Sequence, residues 1–371
     1  MTRAFLMQCL GNRPAVEPVD AVKLVFQNTL GCGHLLPSAQ ACAQAIREEL
    51  ARTAPSDSEP PCTPIGNGLC RLNLRNPLVR ELPPERIAAM MRETERRFQG
   101  SRNAYLQGLR DLRALVAERS DVFAFTAAAL DPLLARAQNA PDWIPSHSEG
   151  YRAACQPAYR VVLRHYGTAM PVLAALEQAL RQYGRATLVL DGDCAAGKTT
   201  LAERLAPLYA CNVFHMDDFF LPFAMRTPER LAQPGGNVHY ERFAQQVLTG
   251  LASGGSVEYD AFDCHSGQTR RVSVPARPVT IIEGSYSLHP AFEAAYAQLH
   301  AVRALLTVDG DEQLRRISRR NGEKMLDRFR DVWIPLEKRY LQAYHETRVD
   351  EWVLPFAHHA EDDPAEEGTA F

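Results

Sequence analysis

The chain has 371 residues, more than one hydrophobic core usually organises, so two domains are expected. With 46% hydrophobic and 23% charged residues it has the composition of an ordinary globular protein, neither disordered nor fibrous. A formal net charge of −3 supplies no general attraction for nucleic acid or an anionic membrane, so neither is expected as a partner. Nine scattered cysteines, odd in number and without a C-x-x-C pair, argue against a disulfide framework or a structural zinc site and for a reducing compartment. The first residues hold no apolar run of signal-peptide length and no later stretch could span a bilayer, so the expected location is cytoplasmic.

Residues 1–165 read as a mostly helical domain. Val19, Val22, Val25 and Phe26 share one helical face, as do Ile87, Met90, Met91, Thr94 and Phe98. Pro84 and Glu85 suit the start of the second helix and Gly100 its end. The polar, proline-rich stretch 52–61 reads as an exposed loop, and Gly66-Asn67-Gly68 as a turn into a short strand. Two motifs carry reactive groups, Gly31-Cys32-Gly33-His34 and Ser146-His147-Ser148-Glu149. Cys32 with His34 or His147 reads as a nucleophile and base; the plainer account is packed or solvated side chains, with Ser148 capping a helix. The expected roles of this domain are substrate sensing, covering a second domain's cleft, or forming a homo-oligomer.

Around Tyr166-Gly167 the pattern changes. A helical segment from Val172 to Tyr183 leads into the apolar run Ala186–Leu190. Further runs at Asn212–Met216, Val279–Ile282 and Ala304–Val308 alternate with helical stretches. That alternation predicts an α/β domain over 166–357, a parallel sheet with helices on both faces. The acidic, apolar-poor tail 358–371 is expected to fray.

Gly192, Asp193, Cys194, Ala195, Ala196, Gly197, Lys198 and Thr199 fit G-x-x-x-x-G-K-[ST], directly after a strand and, from Thr200 on, opening a helix. In such a loop the backbone N–H groups wrap a phosphate, Lys198 reaches the β- and γ-phosphates, and the Thr199 hydroxyl ligates Mg²⁺. The bland alternative is a strand-to-helix turn with a surface lysine. Cys194 reads as a small apolar filler open to oxidation. His215-Met216-Asp217-Asp218-Phe219-Phe220 ends the next strand, where the ligand crevice of an open parallel sheet lies. Asp217 is therefore the candidate base and a candidate metal ligand, with a helix N-cap as its alternative. Glu283 closes the buried strand Thr280-Ile281-Ile282, a costly place for a carboxylate unless it is paired, and reads as a metal holder. Arg315-Arg316-Ile317-Ser318-Arg319-Arg320 puts cations on a helix after the last strand, to close over phosphates or to form a solvated face.

Together, the segments Asp191–Leu201, His215–Phe220, Glu258–His265, Ile281–Leu288 and Gln313–Arg320 resemble the uridine kinase and phosphoribulokinase family of P-loop kinases, in order and spacing as well as in residues. The resemblance covers roughly Gly184 to Tyr344. It implies that Asp217, in Asp217-Asp218-Phe219-Phe220, is the catalytic base, that Glu283-Gly284 serves the metal site, and that Arg316 and Arg319 belong to an arginine-rich lid. Where that family has an N-F-D-like ribose element this chain reads Asn237-Val238-His239, and its Y-D-F-x-x-H element is similar to Tyr259-Asp260-Ala261-Phe262-Asp263-Cys264-His265 with the histidine one residue later. Arg226, Asn237, Tyr259 and His265 are the expected substrate contacts.

The function these readings imply is transfer of the γ-phosphoryl group of ATP, with Mg²⁺, to a hydroxyl of a small metabolite, a nucleoside first. The alternatives are a kinase of a non-nucleoside acceptor, a nucleotide-binding regulator with no acceptor, and a bifunctional chain with separate chemistry in residues 1–165.

Overall fold

A computed structural model of the chain describes residues 2–33, 38–264, 266–345 and 353–357. It divides into two compact units, the first ending at Met170 and the second spanning Pro171–Ala360.

In the first unit, helices Pro18–Leu30, Ala39–Arg52, Pro84–Arg97 and Arg102–Glu118 are the main elements. Each presents an apolar face at helical spacing: Val22 and Val25 are buried from one, Ile87, Met90 and Met91 from another. Pro84 occupies the first turn of its helix, where no amide hydrogen is needed, and the helix ends at Arg97 with Phe98 as its cap, before Gly100. Three antiparallel strands complete the unit: β1 (Cys62–Gly66), β2 (Leu69–Asn73) and β3 (Tyr159–Leu163), in the order β1-β2-β3. Asn67 and Gly68 both take positive φ, 52° and 67°, the backbone of a tight hairpin turn whose twist matches its strands. The short helix Arg164–Thr168 packs on all three strands and so belongs with this unit.

The second unit is built on β4 (Ala186–Gly192), β5 (Asn212–His215), β6 (Val257–Phe262), β7 (Thr269–Val274), β8 (Val279–Glu283), β9 (Val302–Thr307) and β10 (Val353–Ala357). Five of these form a parallel sheet in the order β10-β9-β4-β8-β5, and β6 and β7 pair as a separate antiparallel hairpin. Every residue of β4 is buried, as expected of a central strand covered on both faces. Helix Lys198–Tyr209 returns from β4 and packs on β4, β5 and β8. The chain then crosses from β8, on one side of β4, to β9 on the other. That reversal opens a crevice beyond the C-terminal end of β4, the usual ligand position in such a sheet. Phe214, Phe219, Phe243, Tyr259 and Phe292 join one core cluster, which ties the β6–β7 hairpin to the sheet beside this crevice. Among the described residues no helix is long and apolar enough to cross a membrane.

Candidate active site

β4 runs directly into the loop, and the close pairing of β4 with β9 dictates glycine at its end. A Cβ at Gly192 would lie 1.9 Å from the Leu306 carbonyl oxygen, and its φ of +119° is one that side chains avoid. Ala195 at φ +60° and Gly197 at φ +97° then bend the chain so that successive N–H groups turn inward at the N-terminus of helix Lys198–Tyr209. The Asp193 amide donates to the Leu306 carbonyl (3.0 Å) and its carboxylate accepts from the Val308 amide (3.1 Å), so the loop is anchored to the end of β9. Lys198 is buried and donates to the carbonyls of Gly192 and Asp193, both at 2.8 Å, and to the Ser285 hydroxyl at 3.3 Å. Thr200 continues the helix.

The register of the sheet sets the carboxylates. Glu283 pairs with Leu190 on one side and His215 on the other, so it emerges from the sheet beside the start of the loop helix. The Thr199 hydroxyl donates to Glu283 Oε2 at 3.0 Å, and His215 Nδ1 lies 2.5 Å from Oε1. This hydrogen bond is the main reason that the His215 pKa is raised. Asp217 follows β5 on a single 3₁₀ turn; its side chain is open to solvent yet hemmed in by protein, and that desolvation, with Glu283 nearby, raises its pKa. Asp218 is held apart from it, accepting from the Tyr259 hydroxyl of β6 at 3.0 Å.

The hydrogen-bonded Thr199–Glu283 pair holds the two side-chain oxygens that could serve as neighbouring ligands of Mg²⁺. Octahedral bonds of about 2.0–2.1 Å place adjacent oxygens about 3 Å apart, and Thr199 Oγ1 and Glu283 Oε2 are 3.0 Å apart. Among the described residues no cluster of three or more His, Cys, Asp or Glu side chains could hold a metal alone. A divalent ion held here would take its remaining ligands from water and phosphate oxygens.

The arginine helix, Gly310–Asn321, packs Ile317 against Phe329 and Ile334, with Cys194 and Ala195 of the loop against the same cluster. Arg316 is held by Glu312 (2.8 Å) and donates to the Ala195 carbonyl (3.1 Å). Arg315, Arg319 and Arg320 are all exposed on this helix. Of the expected substrate contacts, Arg226 donates to the Leu221 carbonyl (2.8 Å) and lies over the Phe223 ring, and the Asn237 side chain bonds the Tyr286 hydroxyl. His265, like His34 and the tail 358–371, lies outside the described residues.

Three residues of the site have no role assigned to them from the sequence. Asp191 is fully buried and accepts four hydrogen bonds, from the amides of Gly192 (2.7 Å), Tyr286 (2.9 Å) and Leu288 (2.8 Å) and from the Tyr340 hydroxyl (2.7 Å). It staples the end of β4 to the turn after β8. Glu337, from helix Ile334–Tyr344, puts one carboxylate oxygen 2.8 Å from the Cys194 amide and the other on the Ser285 hydroxyl. A carboxylate thus sits on an inward N–H of the phosphate loop, and burial raises its pKa. Gln313 donates to the Cys194 carbonyl at 3.0 Å. Burial, and Glu337 after it, push the Cys194 thiol up, so it is no reactive thiolate.

The Cys32 nucleophile is corrected by its surroundings. Its thiol is buried and pushed up to about 12, chiefly by burial, and it points at the Met91 carbonyl. His147 is engaged elsewhere, 2.7 Å from Asp20 and 2.6 Å from the Tyr159 hydroxyl. Ser148 caps helix Glu149–Cys155, accepting from the Tyr151 amide.

Sheet order, loop and loop helix give the second unit an α/β fold of the P-loop class. No family model matches the chain, and no curated protein does. Solved structures do. One, described as a possible uridine kinase from Bacillus stearothermophilus, is 17% identical over 49% of this chain and 98% of its own, with a TM-score of 0.35. A second, described as a candidate fructose transport system kinase from Silicibacter, is 24% identical over 51% of this chain and 98% of its own, with a TM-score of 0.41.

Proposed function

We propose that the second unit is an ATP- and Mg²⁺-dependent kinase of a small hydroxylated metabolite, with a nucleoside as the first acceptor to test. The observation that carries this reading is the placing of Thr199 and Glu283 at metal-ligand separation at the head of the loop helix, with the solvent-facing Asp217 at the end of the adjacent strand. A binding-only domain has no need of an open carboxylate there.

The loop amides and Lys198 hold and orient the terminal phosphates. Arg316, approaching from the lid helix, balances charge spread over the transferring group. Thr199 and Glu283 would hold Mg²⁺, which would supply charge neutralisation for the phosphates. Asp217 accepts the acceptor's hydroxyl proton as that oxygen forms its bond to the γ-phosphorus and the bond from phosphorus to the ADP oxygen breaks. Asp218, fixed by Tyr259, and Arg226 and Asn237 on the neighbouring loops would line the acceptor side.

The test is ADP formation from ATP and Mg²⁺ by the full-length protein against a panel of nucleosides, sugars, sugar phosphates and hydroxy acids. The expected result is acceptor-dependent ADP that Lys198→Ala abolishes and that Asp217→Asn lowers at least about 100-fold with ATP binding retained. Turnover that persists in Asp217→Asn would remove the base from this reading. ATP binding with no acceptor-dependent turnover across the panel would favour the regulator.

A further inference from the structure

The first unit contains a chain of hydrogen bonds that no part of the phosphoryl-transfer reading uses. Arg71 Nε and Nη2 lie 3.0 and 2.8 Å from Gln27 Oε1; Gln27 Nε2 is 3.2 Å from the Tyr159 hydroxyl; that hydroxyl is 2.6 Å from His147 Nε2; and His147 Nδ1 is 2.7 Å from Asp20 Oδ1. The ends set its direction, because a guanidinium only donates and a carboxylate only accepts. Arg71 donates to Gln27, Gln27 to Tyr159, Tyr159 to a neutral His147, and His147 to Asp20. Each bond polarises the next. Asp20 is otherwise satisfied, accepting from the Ser148 amide (3.0 Å) and hydroxyl (2.7 Å) and the Glu17 amide (3.1 Å).

The consequence falls on Arg71. Its guanidinium is fixed on one edge by Gln27 and on one face by the Tyr159 ring, 4.6 Å from its centroid, and no carboxylate pairs with it among the described residues. Arg71 lines a cavity of about 60 Å³ that Arg13, Cys9, Asp20, His147 and Tyr151 also line. Arg13 has no carboxylate partner there either. Arg13 and Arg71 thus both line this cavity. Lys23 close by is brought down to about 8, first by burial and then by Arg71 and Arg152. Against these cations stands one buried carboxylate whose lone pairs are already used.

We infer that this cavity is a second ligand site, which takes a small oxyanion, phosphate or carboxylate, between Arg71 and Arg13. A rigid guanidinium fork with free donors and no counter-ion is matched by a planar pair of anionic oxygens. The volume suits an ion of phosphate size and excludes a nucleotide. Asp20, His147, Tyr159 and Gln27 are positioning residues that hold the fork.

The test is calorimetric titration of the full-length protein, in phosphate-free buffer, with inorganic phosphate and separately with acetate. The phosphate loop also binds phosphate, so the titrations are repeated in Lys198→Ala. The expected result is a site that survives Lys198→Ala and is weakened about 10-fold or more by Arg71→Met, the usual worth of a lost charge-assisted hydrogen bond. Arg13→Gln, at an exposed position where folding is not at stake, weakens it too, and Tyr159→Phe weakens it while Arg71 is still present. Saturation by phosphate assigns the phosphate form and saturation by acetate the carboxylate form. Phosphate binding that disappears entirely in Lys198→Ala, with no acetate binding, overturns the inference, as does a surviving site indifferent to both arginines.

Discussion

Asp191 offers a test of how the site is held together. It is fully buried and, among the described residues, is the acceptor that the amides of Gly192, Tyr286 and Leu288 share. Asp191→Ala orphans all three in a place water does not reach. The Tyr340 hydroxyl is spared, because His345 Nε2 lies 3.1 Å away as a second partner. At the low end of about 1 kcal/mol for each unsatisfied buried donor, the loss is about 3 kcal/mol. Breaking a buried charged network sets the upper end at about 5 kcal/mol. Asp191→Asn keeps one oxygen for Gly192 and Tyr286 and turns an NH₂ toward Leu288, so one donor is lost, at about 1–3 kcal/mol. The assay is urea denaturation followed by circular dichroism, with hydrogen exchange of segments 186–192 and 284–290 to identify the transition of the second unit. Wild type should exceed Asp191→Asn, which should exceed Asp191→Ala, and ATP affinity should fall in the same order as the turn bearing Ser285 loosens. A loss below about 1 kcal/mol in Asp191→Ala, with unchanged exchange in both segments, refutes the staple.

Gly192→Ala forces a Cβ to 1.9 Å from the Leu306 carbonyl and should separate β4 from β9, with ATP binding lost in equilibrium dialysis. Glu337→Gln removes a negative charge bonded to the Cys194 amide, so the Kd for ATP should fall several-fold, about 1 kcal/mol, by fluorescence titration. Glu283→Gln should raise the Mg²⁺ concentration needed for half-maximal turnover about 10-fold while ATP binding without metal changes little, because the carboxylate faces Thr199. In the first unit the pKa of His147 is lowered, first by burial and further by Lys23 and Arg71, against the pull of Asp20. The unfolded chain then binds that proton more readily, so stability should fall as pH drops below about 6.5. Burial pulls the Asp20 carboxyl upward, but hydrogen bonds from His147 and Ser148 outweigh it and leave the pKa lowered, so that contribution is present above about pH 4 and is lost on further acidification. Thermal denaturation of His147→Asn between pH 7 and 5 should show a flatter trend than wild type.

The parts of this protein that were legible in the sequence are those whose physics is local. The phosphate loop is an eight-residue run after an apolar strand, and its conformation depends on its own glycines and on the helix it opens. Asp217 and Glu283 stood out because a carboxylate at the end of an apolar strand is costly without a purpose, and the alternation of strands and helices announced a parallel sheet. Which strands are neighbours was settled only by the fold, and with it the meeting of Glu283 with both Thr199 and His215. Glu337 and the Cys194 amide are 143 residues apart, and Asp191 and Tyr340 are 149 apart. Hydrophobic spacing says which face of an element is buried, not which polar group will be opposite it. The same limit explains the arginine helix, where rotation about the axis brings Arg316 to the loop and leaves Arg315, Arg319 and Arg320 exposed. It also explains the relay from Arg71 to Asp20. Its five members come from one helix, two strands and a loop, each unremarkable in sequence, and directional hydrogen bonds join them only after the apolar faces have packed.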